Sequence, residues 1–245
     1  MSRVLANDRA GAASVKRGIS IAKYRLFRPS DYAYLGTLMR NQTLPLHELE
    51  RLNWQKRKRL LSYAFEKVPI YRKKYSDAGL DPSDIRSPED FEKLPIIRKE
   101  DLRNHFADFV SKDARPRLLK PSTTGGSTGT PVKVMHDRRF PGEAFRRLML
   151  SWWGVDFDSD IALVARGQQS LLRELLYDRL MEWPTRRLFL SCDAISEQDI
   201  RRFIREFNQL KQPVLFSSPG GMHQIALFVE KEHMNVHPPK AVWIT

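Results

Sequence analysis

The sequence predicts an α/β protein, with a helical N-terminal region followed by a mostly parallel, doubly wound sheet. Between residues 45 and 107 apolar residues recur at helical spacing, and beyond residue 155 short apolar segments alternate with longer helical patterns. That alternation is typical of right-handed crossovers and of a parallel sheet covered on both faces. A run rich in glycine and hydroxyl residues, at positions 122–134, separates the two parts.

The first part divides into an arm and a helical region. Residues 1–43 have weak periodicity, which predicts a weakly ordered basic arm, and residues 44–107 form the helical N-terminal region. Pro45 suits a first helical turn, and Ser87 with Asp90 has capping-box spacing. A further helix is predicted to begin near Lys99.

Residues 108–245 are predicted to be an α/β nucleotide-binding core. Trp152 and Trp153 are expected to pack inside it, with a substrate pocket as the alternative. The predicted order is a helix around 140–153, strand 160–165, helix 169–182, strand 187–190, helix 196–210, strand 213–217, helix 221–232 and strand 241–245.

The amino-acid composition restricts the cellular compartment in which the protein is expected. A chain of 245 residues can bury a substantial core, and its one cysteine, Cys192, excludes an internal disulfide framework and a cysteine-rich zinc site. No apolar run is long enough to cross a bilayer, and the N-terminus lacks the apolar segment of a signal peptide. The cytoplasm is therefore the expected location.

The formal net charge of +13 favours an anionic partner, such as a nucleotide, an acyl phosphate, a nucleic acid or an acidic membrane. The basic run at residues 56–59 lies within a helical pattern, which indicates a solvated helix face. Aromatic residues are not interleaved with these bases, as a stacking surface for nucleic acid would require. A nucleotide is therefore favoured over nucleic acid.

The sequence predicts no metal site formed by protein side chains. The histidines at positions 136, 223 and 237 are not spaced as metal ligands are: they are His136, His223 and His237.

The glycine-rich run is the strongest functional signal. Its glycines allow positive φ and close approach to a ligand, so that backbone N–H groups can converge on an anion, and its hydroxyls add donors. The run lacks the Gly-Lys-Ser/Thr of a Walker A loop, and the alternation at Val132-Lys133-Val134 predicts that the loop joins two strands. The ligand predicted for this loop is a polyphosphate.

Five segments carry a family resemblance, which covers about residues 55–245. Segments 61–75, 78–85 and 94–102 resemble the N-terminal region of phenylacetate–coenzyme A ligases and of their relatives in capsular polysaccharide biosynthesis. Residues 124–131, Thr-Gly-Gly-Ser-Thr-Gly-Thr-Pro, resemble the phosphate-binding motif of the adenylate-forming superfamily. Ser218-Pro219-Gly220-Gly221 corresponds to the acyl-pocket segment of the capsular relatives.

The resemblance implies ATP-dependent activation of a small carboxylate as an acyl-adenylate. Mg²⁺ is implied as the companion of ATP, and coenzyme A is one candidate acceptor. The implied phosphate-binding residues are Thr124, Gly125, Gly126, Ser127, Thr128, Gly129, Thr130 and Lys133, and the implied acyl pocket contains Ser218, Pro219, Gly220 and Gly221.

The sequence departs from the family pattern in several places. Gly125 replaces a common Ser or Thr, and Thr130 stands where many relatives have lysine, so that Lys133 is the nearest lysine. Gly220 and Gly221 replace paired serines, which indicates a changed or wider acyl pocket. The family's catalytic lysine and C-terminal lid domain are expected beyond Thr245, so the chain is interpreted as an incomplete adenylate-forming large domain and its catalytic residues are not assigned.

Two alternatives remain open at this point. The chain could be a non-catalytic shortened paralogue or a split subunit whose C-terminal half is a separate polypeptide. It could also be a basic nucleic-acid-binding protein, although it has no recognised reader motif.

Overall fold

The computed structural model describes residues 2–124, 131–167, 182–193 and 195–244, with side chains described from residue 15 onward. Its helices and strands follow in chain order: α1 (Ser2–Phe27), α2 (Pro29–Asn41), α3 (Leu46–Lys67), α4 (Pro69–Asp77), α5 (Lys99–Asn104), β1 (Leu119–Thr123), β2 (Lys133–Asp137), α6 (Gly142–Ser151), β3 (Ile161–Ala165), β4 (Arg187–Ser191), α7 (Glu197–Phe207), β5 (Val214–Ser217), α8 (Pro219–Lys231) and β6 (Ala241–Ile244). Short 3₁₀ helices span Pro82–Asp84, Glu89–Lys93, Phe106–Phe109 and Pro116–Leu118.

The chain forms two compact units. The first contains residues 1–39 and 142–245, and the second contains residues 40–141. The division therefore differs from the predicted boundaries at residues 43 and 107. The N-terminal segment belongs to the same unit as the later α/β part of the chain, and β1 and β2 belong to the same unit as the helical part.

The first unit contains a four-stranded parallel sheet in the order β4-β3-β5-β6. One face of this sheet carries the main core. Ala162 and Val164 of β3 are fully buried, and they pack with Leu190 and Leu215 against α7 and α8. The helices contribute Ile200, Phe203, Ile204, Phe207, Ile225 and Phe228 to this core. The predicted α/β fold with a parallel sheet is confirmed.

The second face of the sheet packs against α6 and the turn that follows it. Leu150 and Val155 form a smaller cluster there with Val214, and Phe216 and Trp243 pack against it while remaining half-buried. Trp152 and Trp153 do not join this cluster, because α6 ends at Ser151 and both side chains are more than half exposed, at 61% and 60%. The expectation that this pair packs in the core is therefore wrong.

The N-terminal segment differs from the weakly ordered arm that its periodicity predicts. It forms α1 and α2, and Tyr24 and Leu35 form a buried cluster with Ala144 of α6. Lys16 also reaches across the sequence to donate a hydrogen bond to the buried Asp160 at 2.8 Å. These contacts join distant parts of the sequence, so they leave no local periodic pattern.

The second unit is built around α3 and α4. Leu61, Tyr75 and Ile85 are buried together, with Trp54, Phe65 and Phe91 packed around them. Residues 56–59 are exposed, as expected for a solvated helix face. Ser87 does not begin an α-helix but precedes the 3₁₀ helix, and its backbone N–H donates to the Asp90 carboxylate at 2.8 Å.

None of the helices within the described ranges combines the length and the apolar character that crossing a membrane requires.

Candidate functional site

The glycine-rich loop begins and ends on an antiparallel hairpin in the second unit. β1 pairs with β2, with Thr123 opposite Lys133, so the prediction that the loop joins two strands is confirmed. Thr124 closes the base of the loop: its N–H donates to the Val132 carbonyl, and its hydroxyl accepts from the Val132 N–H, both at 3.0 Å. The hydroxyl proton of Thr124 is still able to donate to a ligand.

The remaining residues predicted in this loop have different outcomes. Positions 125–130, which hold Gly125, Gly126, Ser127, Thr128, Gly129 and Thr130, lie outside the described residues. Lys133 is the first residue of β2, and its side chain is exposed. The described part of the hairpin therefore holds the two ends of the loop at a fixed separation and leaves an exposed cation beside them.

The carboxyl edge of the parallel sheet lies in the first unit. β3 and β5 are neighbours, and the chain leaves β3 for β4 on one side and later returns to β5 on the other. In open α/β sheets, ligands bind in the crevice outside the carboxyl ends at such a switch point. Here the strand ends are followed by Arg166-Gly167 and by Ser218-Pro219.

Ser218 begins α8 as its N-cap. Its hydroxyl accepts from the Gly221 N–H at 3.3 Å, and its own N–H donates to the Val164 carbonyl at 3.2 Å. The cap ties the start of the helix to β3, so the positive end of the α8 dipole is held at the carboxyl edge of the sheet. Pro219 at the first turn favours the same helix start.

Gly220 and Gly221 have opposite surroundings. Gly221 is buried, and a Cβ built there would lie 2.9 Å from Val164 Cγ1 and 3.2 Å from the Cys192 Cβ. Gly220 is exposed, and a Cβ there would meet no atom within 4 Å. Gly221 therefore allows close packing of helix on strand, whereas at Gly220 a side chain has room.

A cavity of about 660 Å³, here called the carboxyl-edge cavity, extends from this edge along the second face of the sheet. Its apolar wall contains Leu163, Phe216 and Trp243, and Ser217 and Ser218 line it near the strand ends. Its volume lies within the range of small-molecule sites, and its composition matches an apolar pocket with a few polar groups.

Three arginines, Arg146, Arg166 and Arg187, bring positive charge to the carboxyl-edge cavity. Arg166 follows β3 and is exposed, while Arg146 of α6 lies over the Phe216 ring at 5.3 Å from its centroid. Arg146 Nε also donates to Glu143 at 2.8 Å. Burial pushes the pKa of Glu143 upward, but the hydrogen bond and charge of Arg146 hold that pKa below its ordinary value, so Glu143 stays ionised.

Of the four predicted acyl-pocket residues, Ser218 lines the cavity, whereas Pro219, Gly220 and Gly221 form the start of α8 and do not line it. The cavity also contains residues that sequence reasoning missed. The missed residues are Arg146, Arg166, Phe216 and Trp243. Phe216 and Trp243 are large apolar residues within two predicted strands, so the sequence could have suggested them as a wall of the site. No local pattern marks Arg146 or Arg166 as a site residue. Within the described ranges, no group of three or more His, Cys, Asp or Glu residues is placed to hold a metal ion.

Curated relatives match part of this chain. Phenylacetate-coenzyme A ligase of Thermus thermophilus is 36% identical over 93 residues, which is 38% of this chain and 21% of that protein. The Escherichia coli enzyme of the same name is 33% identical over 93 residues, again 38% and 21% of the two chains. The matches thus span about a fifth of the length of these curated relatives. No protein-family model matches the chain.

Solved structures share the fold. 2-Hydroxyisobutyryl-CoA ligase in complex with 2-HIB-AMP and CoA, in the thioesterification state, aligns with a TM-score of 0.57 and 21% identity over 84% of this chain and 45% of that chain. An open conformation of that ligase, with the same ligands, aligns with a TM-score of 0.57 and 22% identity over 80% of this chain and 46% of that chain. This chain is therefore similar in sequence to phenylacetate–CoA ligases over part of its length, and it has the fold of the corresponding part of a CoA ligase.

Proposed function

We propose that this chain is the N-terminal, large-domain portion of an AMP-forming acid–CoA ligase, which activates a small carboxylate with ATP. The observation that carries the proposal is the similarity to phenylacetate–CoA ligases, in a chain whose glycine-rich loop closes a β-hairpin. A carboxylate is a poor electrophile, and an acyl-adenylate gives it a good leaving group. The protein's task is then to hold the ATP phosphates while negative charge grows on pyrophosphate.

The loop residues are proposed to bind the β- and γ-phosphates. Ser127, Thr128 and Gly129 contact the phosphate oxygens, supported by Thr124, Gly125, Gly126 and Thr130. The closed base at Thr124 supports this role, because a loop with fixed ends can present its N–H groups with little reorganisation. Lys133 is exposed beside the loop and adds a cation near the triphosphate.

Mg²⁺ is proposed to bind through the ATP phosphates. Among the described residues no protein group is arranged as a metal site, and Mg²⁺ commonly uses substrate phosphates with few protein ligands. Coenzyme A is the proposed acceptor, since the matched relatives are CoA ligases.

The carboxyl-edge cavity is proposed to bind the acyl substrate. Phe216 and Trp243 supply an apolar wall for an aromatic or branched acid, and Ser218 lies at the end where the strands finish. Gly220 is exposed and does not line this cavity, so a serine at that position would leave the cavity volume unchanged. The proposal also assigns the catalytic lysine and the closing domain to a further polypeptide segment, either in the same chain or in a partner.

Carboxylate-dependent exchange between ATP and labelled pyrophosphate tests this function. The chain is combined with the C-terminal half of a matched relative and assayed with an acid panel that includes phenylacetate and 2-hydroxyisobutyrate. We expect exchange that requires both halves and one class of acid. Nucleotide binding with no exchange for any acid would instead favour a non-catalytic subunit.

Thr128→Ala tests the loop within an active complex. Loss of one preorganised phosphate donor should slow exchange by about 10²-fold. Thr123→Ala is the matched control, because Thr123 is an exposed residue of β1 outside the loop and its loss should leave the rate unchanged. Equal rates for the Thr128 variant and the wild type would remove Thr128 from the phosphate site.

A further inference from the structure

A second cavity, of about 310 Å³, lies at the opposite edge of the sheet, where β3 and β4 begin. Its walls come from the last turns of α1, from the start of α6 and from residues 182–187. It is here called the amino-edge cavity. Arg146, Ile161, Glu182 and Arg187 belong to the walls of both cavities, whereas Ser20, Lys23, Tyr24, Arg28, Glu143, Arg147 and Arg186 line the amino-edge cavity and not the carboxyl-edge cavity.

The walls of the amino-edge cavity are strongly cationic. Among the described residues, six basic side chains line it against two carboxylates. The basic residues are Lys23, Arg28, Arg146, Arg147, Arg186 and Arg187, and the carboxylates are Glu143 and Glu182. Two further carboxylates lie just outside: Asp160, which accepts from Arg186 and Lys16, and Asp31, 3.9 Å from Arg28. Positive charge exceeds negative charge even when these are included.

Burial opposes the charged form of two cations in this cavity, Arg147 and Lys23. Glu143 is shared between Arg146 and Arg147, whose Nε atoms lie 2.8 Å and 3.1 Å from its oxygens. Burial lowers the pKa of Arg147 even though Glu143 opposes that shift. Burial likewise lowers the pKa of Lys23, with Glu182 opposing it. An anion in the cavity would offset this cost.

Two buried hydroxyls of α1 have no hydrogen-bond partner among the described residues. They are Ser20 Oγ and Tyr24 Oη, one turn apart on α1, and both residues line the cavity. Tyr24 is only 8% exposed, so bulk water does not satisfy its hydroxyl. An unpartnered buried hydroxyl destabilises a fold by about 1–3 kcal/mol. A ligand oxygen that accepts a hydrogen bond from the hydroxyl would offset this cost. The site thus combines excess cations with two free donors.

We propose that the amino-edge cavity binds a phosphate group, carried by a small soluble phosphomonoester. A phosphate offers several acceptor oxygens to arginine and hydroxyl donors at once, which matches this mixture of side chains. Phe27 and Trp183 stand at the rim, 54% and 60% exposed, and provide aromatic surface for the organic part of the ester. The proposal does not depend on the ligase function.

Titration of the ¹⁵N-labelled full chain with inorganic phosphate, followed by amide chemical shifts, tests the phosphate site directly. We expect saturable shifts at Ser20, Tyr24 and residues 185–187. Tyr24→Phe should weaken this binding about tenfold, because a hydrogen bond to a charged acceptor is lost. The thermal midpoint of the free protein should stay the same or rise, because the variant removes an unpartnered buried hydroxyl.

Matched variants separate this site from the others. Tyr34→Phe removes a hydroxyl from a ring that packs on Phe145 outside the cavity wall, and Thr128→Ala removes a hydroxyl from the glycine-rich loop. Neither should change phosphate affinity at the amino-edge residues. The proposal is overturned if these amides show no saturable shift, or if Tyr24→Phe binds phosphate as the wild type does.

The aromatic rim has its own test. Phenyl phosphate should bind more tightly than inorganic phosphate, and Trp183→Ala should remove the difference. Equal affinity for the two ligands in the wild-type chain would contradict the monoester. Binding that requires vesicles containing phosphatidic acid would point to a lipid headgroup and would contradict a soluble ligand.

Discussion

The two faces of the parallel sheet differ in how they are filled. On the face toward α7 and α8, Ala162, Val164 and Leu215 are buried in one continuous apolar core. On the face toward α6, the described side chains of Phe216 and Trp243 are only half-buried and line a cavity. The comparison indicates that the first face stabilises the fold and the second is available for a ligand. The predictions below test that division, from the largest expected effect to the smallest.

Phe207→Ala and Phe216→Ala compare the two faces directly. Phe207 is 2% exposed, so its truncation should lower the free energy of unfolding by about 3–5 kcal/mol. Phe216 is half-buried beside the cavity, so its truncation should cost about 1–2 kcal/mol. Urea unfolding of both variants measures the difference. Equal losses would mean that both faces are packed as core.

Gly221→Ala and Gly220→Ala compare two adjacent positions at the start of α8. The added methyl at Gly221 meets Val164, and we expect a loss of about 1–3 kcal/mol in unfolding free energy. At Gly220 the methyl enters open space, so stability should change by less than about 0.5 kcal/mol. The midpoints of urea unfolding report both effects. A tolerated alanine at 221 would contradict the close packing of α8 on β3.

Ser218→Ala and Ser196→Ala compare two helix caps. Each serine is an N-cap that accepts a backbone N–H, so each variant should lose about 1 kcal/mol of stability. Only Ser218 lines the carboxyl-edge cavity, so only its variant should also change acid-dependent exchange beyond the change in folded fraction. If both variants changed exchange equally, Ser218 would have no role beyond capping.

Glu143 provides the smallest expected effect, seen in the acid dependence of stability. Its pKa is lower in the folded protein than the ordinary value of 4.5, so its contribution is present above that value and is lost as the pH falls through the folded pKa. Below about pH 4.5, Glu143→Gln should therefore reduce the slope of unfolding free energy against pH. The reduction should correspond to less than one proton in the difference between the numbers bound by the unfolded and folded states. Chemical unfolding at a series of pH values measures this slope, and an unchanged slope would contradict the assignment.

Local patterns in the sequence were sufficient for much of the sheet unit. The predicted helix 196–210 begins with a capping box of Ser196 and Asp199, and the strands at 161–165, 187–191 and 214–217 lie within a residue of the predicted bounds. These features depend on residues close together in the chain, so periodicity and capping rules detect them.

Long-range contacts limited the rest. Lys16 meets Asp160 across 144 positions, and α1 docks through that ion pair and through Tyr24 rather than through an apolar stripe. Arg146 reaches the carboxyl-edge cavity only because α6 packs on that face of the sheet. For the same reason the sequence could suggest Ser218 as a site residue but could not pair it with Arg146 of α6 or Trp243 of β6. No pattern within a single helix or strand records such pairings.

A crystal structure of the chain with bound ATP and Mg²⁺ tests the central claim most directly. The account predicts that the triphosphate lies in the bend between Thr124 and Val132, with backbone N–H groups of residues 127–129 donating to its β- and γ-phosphate oxygens. The account is contradicted if those N–H groups donate to neighbouring main-chain carbonyls and the nucleotide is absent or bound elsewhere.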